Sequence, residues 1–255
     1  QLRDSPFGRG LHIDSAEQPD QLQGDVFAVL NHPFAAVSEA LKEPARWCDI
    51  LILPFNTKYC HAVEGNGGPA LQVRIGRKYD QPVEQAYRLE FALRKVAASN
   101  DYFETRLAAP TGPVGTRDYR IAVAAVPLDG GKRTFLQLSY AYGFGSLGRV
   151  AMQAYLSTAG ADKVGFTITG RDAEGKPQFI NGVRGAIERN AMRYYLAIDA
   201  YLDSLAAPPD KRVEDRIRRW LAATERFPRQ LREMPWPTYA TMKMQEHERQ
   251  QTLLQ

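Results

Sequence analysis

Residues 183–205, VRGAIERNAMRYYLAIDAYLDSL, decide the fold, because they carry the clearest amphipathic helix pattern in the chain. Apolar side chains recur every three or four positions, which places them along one stripe of a helix. The stripe consists of Val183, Ile187, Ala191, Tyr194, Ile198, Tyr201 and Leu205, with Met192, Tyr195 and Leu202 at its edge. Charged residues such as Glu188, Arg189 and Arg193 are predicted to face away from it. At 1.5 Å per residue the helix is predicted to be about 34 Å long, and Pro208 follows its end.

Upstream of this helix the periodicity changes from helical to alternating. Apolar and polar residues alternate in several short segments, and turns rich in glycine and proline separate them, which is typical of antiparallel strands. The predicted strands span residues 24–30, 57–63, 71–75, 87–93, 102–108, 119–125, 135–144 and, last, 164–169. Short turns between consecutive strands predict one antiparallel and strongly curved sheet.

Short helices are predicted between some of the strands. Pro33 suits the first turn of a helix over residues 33–41, a second helix is predicted over 45–53 around Trp47, and a third over 147–158. The predicted organisation is an extended lead-in (1–23), one domain (24–207) and a charged, partly helical tail (208–255).

This order of elements resembles the helix-grip fold of the START-like superfamily (Bet v 1-like, SRPBCC), and within it the bacterial lipid-binding type. The resemblance covers residues 24–205 and rests on the element order, on Trp47 after the first helices, and on the long final helix after the last strand. It implies an α+β fold in which a curved antiparallel sheet wraps around the long C-terminal helix. START-like domains hold hydrophobic molecules between that helix and the concave face of the sheet. The resemblance therefore implies a binder or carrier of a sterol, a hopanoid or an acyl lipid.

The side chains available to line such a cavity are mostly apolar or aromatic, as ligand sites usually are. The candidates are Phe91, Leu93, Tyr119, Ile121, Leu138, Tyr140, Tyr142 and Phe166 from strands, and Met192, Tyr195 and Ile198 from the long helix. The tyrosine hydroxyls could bind the polar head of a ligand. Ordinary core packing is the alternative for each of these residues.

An enzyme of the same fold is the alternative function, because START-like relatives include cyclases and hydrolases, and its substrate would be aromatic or polyketide-like. The sequence identifies no catalytic residue: the four histidines lack a metal-ligand spacing, and no nucleophile motif occurs. Residues 143–148 spell G-x-G-x-x-G, but in an antiparallel meander rather than a βαβ unit. We therefore expect no cofactor, no metal and no nucleic acid partner.

Cys48 and Cys60 are the two cysteines of the chain. They are interpreted as a disulfide pair in an oxidising compartment or as two reduced core residues in the cytoplasm. The chain opens at Gln1 and continues with polar, turn-rich sequence, which is typical of a mature chain after removal of a signal peptide. We therefore predict a periplasmic or secreted protein with a disulfide, with a cytoplasmic protein as the alternative.

The composition and net charge of the chain restrict the classes of protein to which it can belong. The chain has 255 residues, 44% of them hydrophobic, and a net charge of +4, which is ordinary for a soluble globular protein and too small an excess to mark a nucleic acid binder. The basic residues of the tail are interpreted as a solvated helix face or, alternatively, as a transient contact with anionic lipid headgroups or with a protein partner.

Overall fold

One sheet of eight antiparallel strands organises the protein, in the order β1-β2-β8-β7-β6-β5-β4-β3. The strands are β1 (Leu11–Gln18), β2 (Gln21–Leu30), β3 (Thr57–Gly65), β4 (Gly68–Ile75), β5 (Tyr87–Ala98), β6 (Phe103–Thr111), β7 (Thr116–Leu128) and β8 (Arg133–Phe144). The computed structural model describes residues 2, 5–7, 10–65, 67–158 and 160–252. Because β8 pairs with both β2 and β7, the N-terminal hairpin extends the meander formed by β3 to β8.

Helices lie against the inner face of this sheet and around its ends. They are α1 (Phe34–Leu41), α2 (Pro44–Leu51), α3 (Ser146–Leu156), α4 (Gly182–Ser204), α5 (Arg212–Glu225), α6 (Pro228–Leu231) and α7 (Trp236–Gln250). The longest helix, α4, packs against β1, β2 and β8. The predicted α+β fold, an antiparallel sheet around one long helix, is therefore confirmed. No helix in the described part of the chain is long and apolar enough to cross a membrane.

The N-terminal segment differs from its prediction, because about half of the expected lead-in belongs to the sheet. Residues 11–18 form β1, and β2 begins at Gln21 rather than at Gly24. The alternation of apolar and polar residues does not reveal β1, because the third residue that faces inward, Ser15, is polar. Ser15 is nevertheless buried, since its hydroxyl donates to Glu188 Oε1 over 2.7 Å.

Parts of the predicted segments lie outside the described residues. These are residues 1, 3, 4, 8 and 9 of the lead-in, Asn66 between β3 and β4, Ala159 after α3, and residues 253–255 of the tail.

The predicted last strand over 164–169 does not join the main sheet. Instead, a separate hairpin forms from β9 (Ile168–Arg171) and β10 (Pro177–Phe179). The backbone N–H groups of Phe166 and Thr167 donate to Glu188 Oε2 over 2.6 and 2.9 Å. The carboxylate of Glu188 thus supplies the hydrogen bonds that a neighbouring strand would otherwise provide.

Helix α4 is buried on nearly all sides, which corrects the prediction that its charged residues face solvent. Glu188, Arg189 and Arg193 are all buried. The sheet covers one side of α4, while α5 packs on another. A helix enclosed in this way must pair its charged side chains, because an unpaired buried charge is costly.

The C-terminal segment predicted as a tail is largely helical and packs onto the rest of the chain. Helix α5 contacts α4 and α7, and α7 contacts β3. Several of its basic residues form ion pairs rather than a free basic face: Arg216 Nη1 lies 2.8 Å from Asp49 Oδ1, and Arg219 Nε lies 2.5 Å from Asp215 Oδ2.

A buried charge cluster fixes α7 to the start of β3. Lys58, Lys243 and Glu246 are almost fully inaccessible to solvent. The Nζ atom of Lys58 donates to the carbonyl of Phe55 over 2.9 Å, and Nζ of Lys243 donates to the carbonyl of Thr57 over 2.9 Å. Both ammonium groups contact the carboxylate of Glu246, so two buried cations share one anion.

The predicted disulfide is present and joins α2 to β3 through Cys48 and Cys60. Reduction, or the double substitution Cys48→Ser and Cys60→Ser, is expected to lower the free energy of unfolding by about 3 kcal/mol, because the open chain gains conformational entropy when unfolded. Guanidinium titrations with and without reductant measure this difference. Titration of two free thiols in denatured protein that was never reduced would contradict the bridge.

Candidate functional site

A cavity of about 270 Å³ lies between the inner face of the sheet, α3 and α4. Its lining residues come from strands β4, β5, β7 and β8, from the two helices and from two connecting loops. They are Asn56, Ile75, Leu89, Phe91, Pro113, Val114, Thr116, Tyr119, Tyr140, Tyr142, Gly148, Ala151, Met152, Tyr155, Asn190 and Tyr194. Since most of these side chains are apolar or aromatic, the cavity has the chemistry of a site for hydrophobic ligands.

Four tyrosines form one wall of the cavity. The rings of Tyr119 and Tyr142 stack with centroids 5.3 Å apart, and Tyr140 lies 5.8 Å from Tyr142 and 5.0 Å from Tyr194. Alternation along β8 places Tyr140 and Tyr142 on the same face of the sheet, beside Tyr119 of β7. Because these rings come from two strands and a helix, their positions are set by the packing of α4 on the sheet.

The hydroxyl groups of this wall are neutral and only partly engaged. Tyr119 Oη donates to Thr116 Oγ1 over 2.9 Å. Burial raises the pKa of Tyr140, Tyr142 and Tyr194, so each keeps its proton well above neutral pH. Within the described residues, the hydroxyl of Tyr142 has no hydrogen-bond partner, so it can donate to a ligand.

The other end of the cavity is positively charged. Tyr155 of α3 has Lys78 Nζ 3.5 Å from its hydroxyl, and the positive charge of Arg189 acts on the same hydroxyl. Burial raises the pKa of Tyr155, but the positive charges of Lys78, Arg189 and Arg193 together lower it below the ordinary tyrosine value. The cavity therefore has neutral tyrosines on one side and a tyrosine with increased acidity on the other.

We use the term basic cluster for the four cations near Tyr155, which are Lys78, Lys163, Arg189 and Arg193. Glu233, in the loop before α7, contacts two of them. Its Oε1 atom lies 2.7 Å from Lys78 Nζ and 2.7 Å from Arg193 Nη2. Burial and the neighbouring cations lower the pKa of Lys163 and of Arg193, although Glu233 opposes this effect. Four cations thus lie at this end of the cavity, with the carboxylate of Glu233 between two of them.

Four of the predicted site residues line the cavity together: Phe91, Tyr119, Tyr140 and Tyr142. The other seven are buried in the core and do not line it: Leu93, Ile121, Leu138, Phe166, Met192, Tyr195 and Ile198. On α4, the cavity is reached by Tyr194 and Asn190 rather than by Tyr195. Consecutive helical residues are separated by about 100°, so the two adjacent tyrosines cannot point in the same direction. Whether the four lining residues contact a ligand remains a prediction.

Sequence reasoning missed the polar end of the cavity. Met152 and Tyr155 belong to the correctly placed third helix, and their spacing of three residues puts them on one helical face. That spacing could have identified both residues as candidates for the cavity lining. Lys78 and Glu233, by contrast, are 155 positions apart in the sequence. No local pattern connects them.

Larger depressions, of about 500 and 600 Å³, lie on the outer face of the sheet. Small and charged side chains line them, including Ala92, Ala108, Arg94 and Arg120. Each depression has a single aromatic residue in its lining, whereas six aromatic residues line the cavity between the sheet, α3 and α4, so that cavity suits a flat apolar ligand better. No group of three or more His, Cys, Asp or Glu residues in the described ranges could hold a metal ion.

Comparisons with known proteins identify similar structures at low identity. No protein-family model matches the chain, and no curated protein matches it. Among solved structures, the chain is similar to norcoclaurine synthase from Thalictrum flavum, with 15% identity, 59% of this chain and 89% of that chain covered, and a TM-score of 0.38. It is also similar to Ara h 8.0201, with 14% identity, 76% and 99% coverage, and a TM-score of 0.39. A conserved protein from Geobacillus kaustophilus matches with 12% identity, 54% and 84% coverage, and a TM-score of 0.35. Since all three TM-scores lie below 0.5, these similarities carry no inference about function.

Proposed function

We propose that the protein binds a compact hydrophobic ligand, at least partly aromatic, in the cavity between the sheet, α3 and α4. The observation that carries the proposal is the wall of four tyrosines, in which the ring of Tyr142 stacks on that of Tyr119 and its hydroxyl is available to a ligand. Aromatic walls favour flat ligands, because offset and edge-to-face ring contacts add to the burial of apolar area. About 200 Å² of buried ligand surface would contribute roughly 5 kcal/mol before the costs of association.

The volume of the cavity argues for a small ligand. Pockets for drug-sized molecules measure about 300–1,000 Å³, and this cavity has about 270 Å³. A single-ring or two-ring molecule therefore suits the cavity better than the sterol or hopanoid predicted from the sequence. Transport of lipids by a bacterial lipid-binding domain would require α3 and its flanking loops to move apart.

Filling the cavity from α3 tests this proposal. Ala151 lines the cavity, whereas Ala154 of the same helix is exposed. Ala151→Phe is expected to weaken the binding of 2-naphthol at least tenfold in calorimetric titrations, because the added ring occupies ligand volume. Ala154→Phe is the matched control and should bind like the unmodified chain. Absence of 2-naphthol binding by the unmodified chain, or equal binding by both variants, would refute the proposal, provided that both variants keep their unfolding midpoints.

Catalysis of proton transfer is a second candidate function, and the acidity of Tyr155 favours it. The phenolate form of a tyrosine can accept a proton as a general base, and a lowered pKa makes that form more accessible. Tyr155 lines the cavity, so it could reach an acidic group of a bound aromatic molecule. This function would correspond to the enzyme alternative considered from the sequence.

The disulfide supports a proposal on location. Structural disulfides persist in oxidising compartments and are rare in the reducing cytosol. The bridge between Cys48 and Cys60 therefore supports a periplasmic or secreted protein.

A further inference from the structure

We propose that the basic cluster binds the carboxylate of an aromatic acid whose ring occupies the cavity. This inference rests on the proposed function, because the cavity must first accept the apolar part of the ligand. It adds the chemical class of that ligand: an anionic amphiphile with a flat apolar body and one carboxylate at the end nearest Tyr155.

The basic cluster carries an excess of positive charge. Four cations, Lys78, Lys163, Arg189 and Arg193, lie near one another, and in the described part of the chain Glu233 is the one carboxylate that contacts them. Positive charges that lie close together at low solvent exposure repel each other strongly, because little water screens them. An additional anion would reduce this repulsion, so the excess positive charge of the cluster favours the binding of an anion.

The two arginines of the basic cluster are buried. The exposed fractions of Arg189 and Arg193 are 1% and 7%. Arg193 places Nη1 3.1 Å from Asn190 Oδ1 and Nη2 2.7 Å from Glu233, but its buried Nε–H has no hydrogen-bond partner. An unsatisfied buried donor on a charged group is costly, and a carboxylate oxygen is the acceptor that guanidinium groups bind most strongly.

Two residues connect the basic cluster to the cavity. Asn190 and Tyr155 both line the cavity, and both also contact members of the cluster. Asn190 accepts from Arg193, and Tyr155 has the ammonium of Lys78 5.6 Å from its ring centroid. A ligand that fills the cavity would therefore extend its polar end towards these cations. Because about one third of the Lys78 side chain is exposed, this lysine can adjust to an incoming carboxylate.

The test compares two probes of nearly equal shape, 2-naphthoate and its neutral analogue 2-naphthamide. Calorimetric titration of the full chain at low ionic strength is expected to show at least tenfold tighter binding of 2-naphthoate. This preference for 2-naphthoate should decrease in 0.5 M salt, because salt screens the partly exposed charge of Lys78. Binding of the carboxylate should also raise the pKa of Tyr155, which ultraviolet difference spectra of the phenolate can follow.

Substitution of one lysine provides the matched comparison. Lys78→Met is expected to remove most of the preference for 2-naphthoate and to leave the affinity for 2-naphthamide within twofold. Lys132→Met, at an exposed lysine in the turn between β7 and β8, should change neither affinity. Equal affinities of the unmodified chain for the two probes would overturn the inference and leave the proposed function standing. Failure of both probes to bind would refute the proposed function itself.

Discussion

Replacing Glu246 with glutamine is expected to lower the free energy of unfolding by about 3–5 kcal/mol, because two buried ammonium groups would then lose their shared counter-charge. Glu246 Oε1 lies 3.0 Å from Lys58 Nζ, and Oε2 lies 2.6 Å from Lys243 Nζ. A glutamine side chain can accept from one lysine, but its NH₂ group would face the other cation. Backbone carbonyls and Met242 Sδ would remain as acceptors, and they cannot neutralise the charge.

The same substitution should make stability depend more strongly on pH. Burial lowers the pKa of Lys243 to about 8, although the charge of Glu246 opposes this shift. In the pH range between this value and the unfolded-state pKa of about 10.4, the folded state binds fewer protons than the unfolded state. The free energy of unfolding therefore rises with pH in this range. Removing the charge of Glu246 lowers the pKa further and moves the start of this rise below pH 8. The stability deficit of the variant should therefore be larger at pH 6 than at pH 8.5.

Two controls separate the charge effect from a general effect of substitution in α7. Glu248→Gln changes an exposed glutamate two positions away and should alter stability by less than about 0.5 kcal/mol. Lys243→Met leaves Lys58 and Glu246 as a neutral pair, so we expect it to cost less than Glu246→Gln. Urea titrations of the three variants at both pH values measure these differences. A deficit for Glu246→Gln no larger than that for Glu248→Gln would contradict the role given to this carboxylate.

The fold class could be predicted because its signals are local. Alternation along β5, β7 and β8 and the 3.6-residue period of α4 both arise from residues that are close in sequence. The same reasoning failed where burial depends on a distant partner. Ser15 in β1 is buried because Glu188 accepts its hydroxyl, and Glu188 was itself predicted to face solvent.

The candidate site could be predicted only in its apolar half. Tyr140 and Tyr142 alternate correctly along β8, so their inward direction follows from the strand period. The choice between Tyr194 and Tyr195 depends on the rotation of α4 about its axis. The sequence does not determine this rotation, because both residues suit a buried face. The basic cluster depends on the contacts of Glu233 with Lys78, in the loop after β4, and with Arg193 of α4, and these contacts exist only in the folded chain.

Replacing Trp220 with alanine is expected to lower the free energy of unfolding by about 3–5 kcal/mol. Trp220 of α5 is fully buried, with ring centroids 4.9 Å from Phe55 and 5.3 Å from Tyr239. Its indole N–H donates to the carbonyl of Arg193 over 3.1 Å. Alanine would leave a cavity among these aromatic rings and would remove one buried hydrogen bond, and both changes destabilise the folded state.

Trp236 offers a matched control in the same C-terminal segment, because 39% of it is exposed at the start of α7. Trp236→Ala should change stability by less than about 0.5 kcal/mol. Guanidinium titrations followed by far-ultraviolet circular dichroism compare the two variants. If the domain ended at residue 207 and an independent tail followed it, both substitutions would change the free energy of unfolding of the domain equally and only slightly. A single cooperative transition that is shifted strongly by Trp220→Ala alone would instead mean that α5 belongs to the same folding unit as α4, which carries the cavity and its basic cluster.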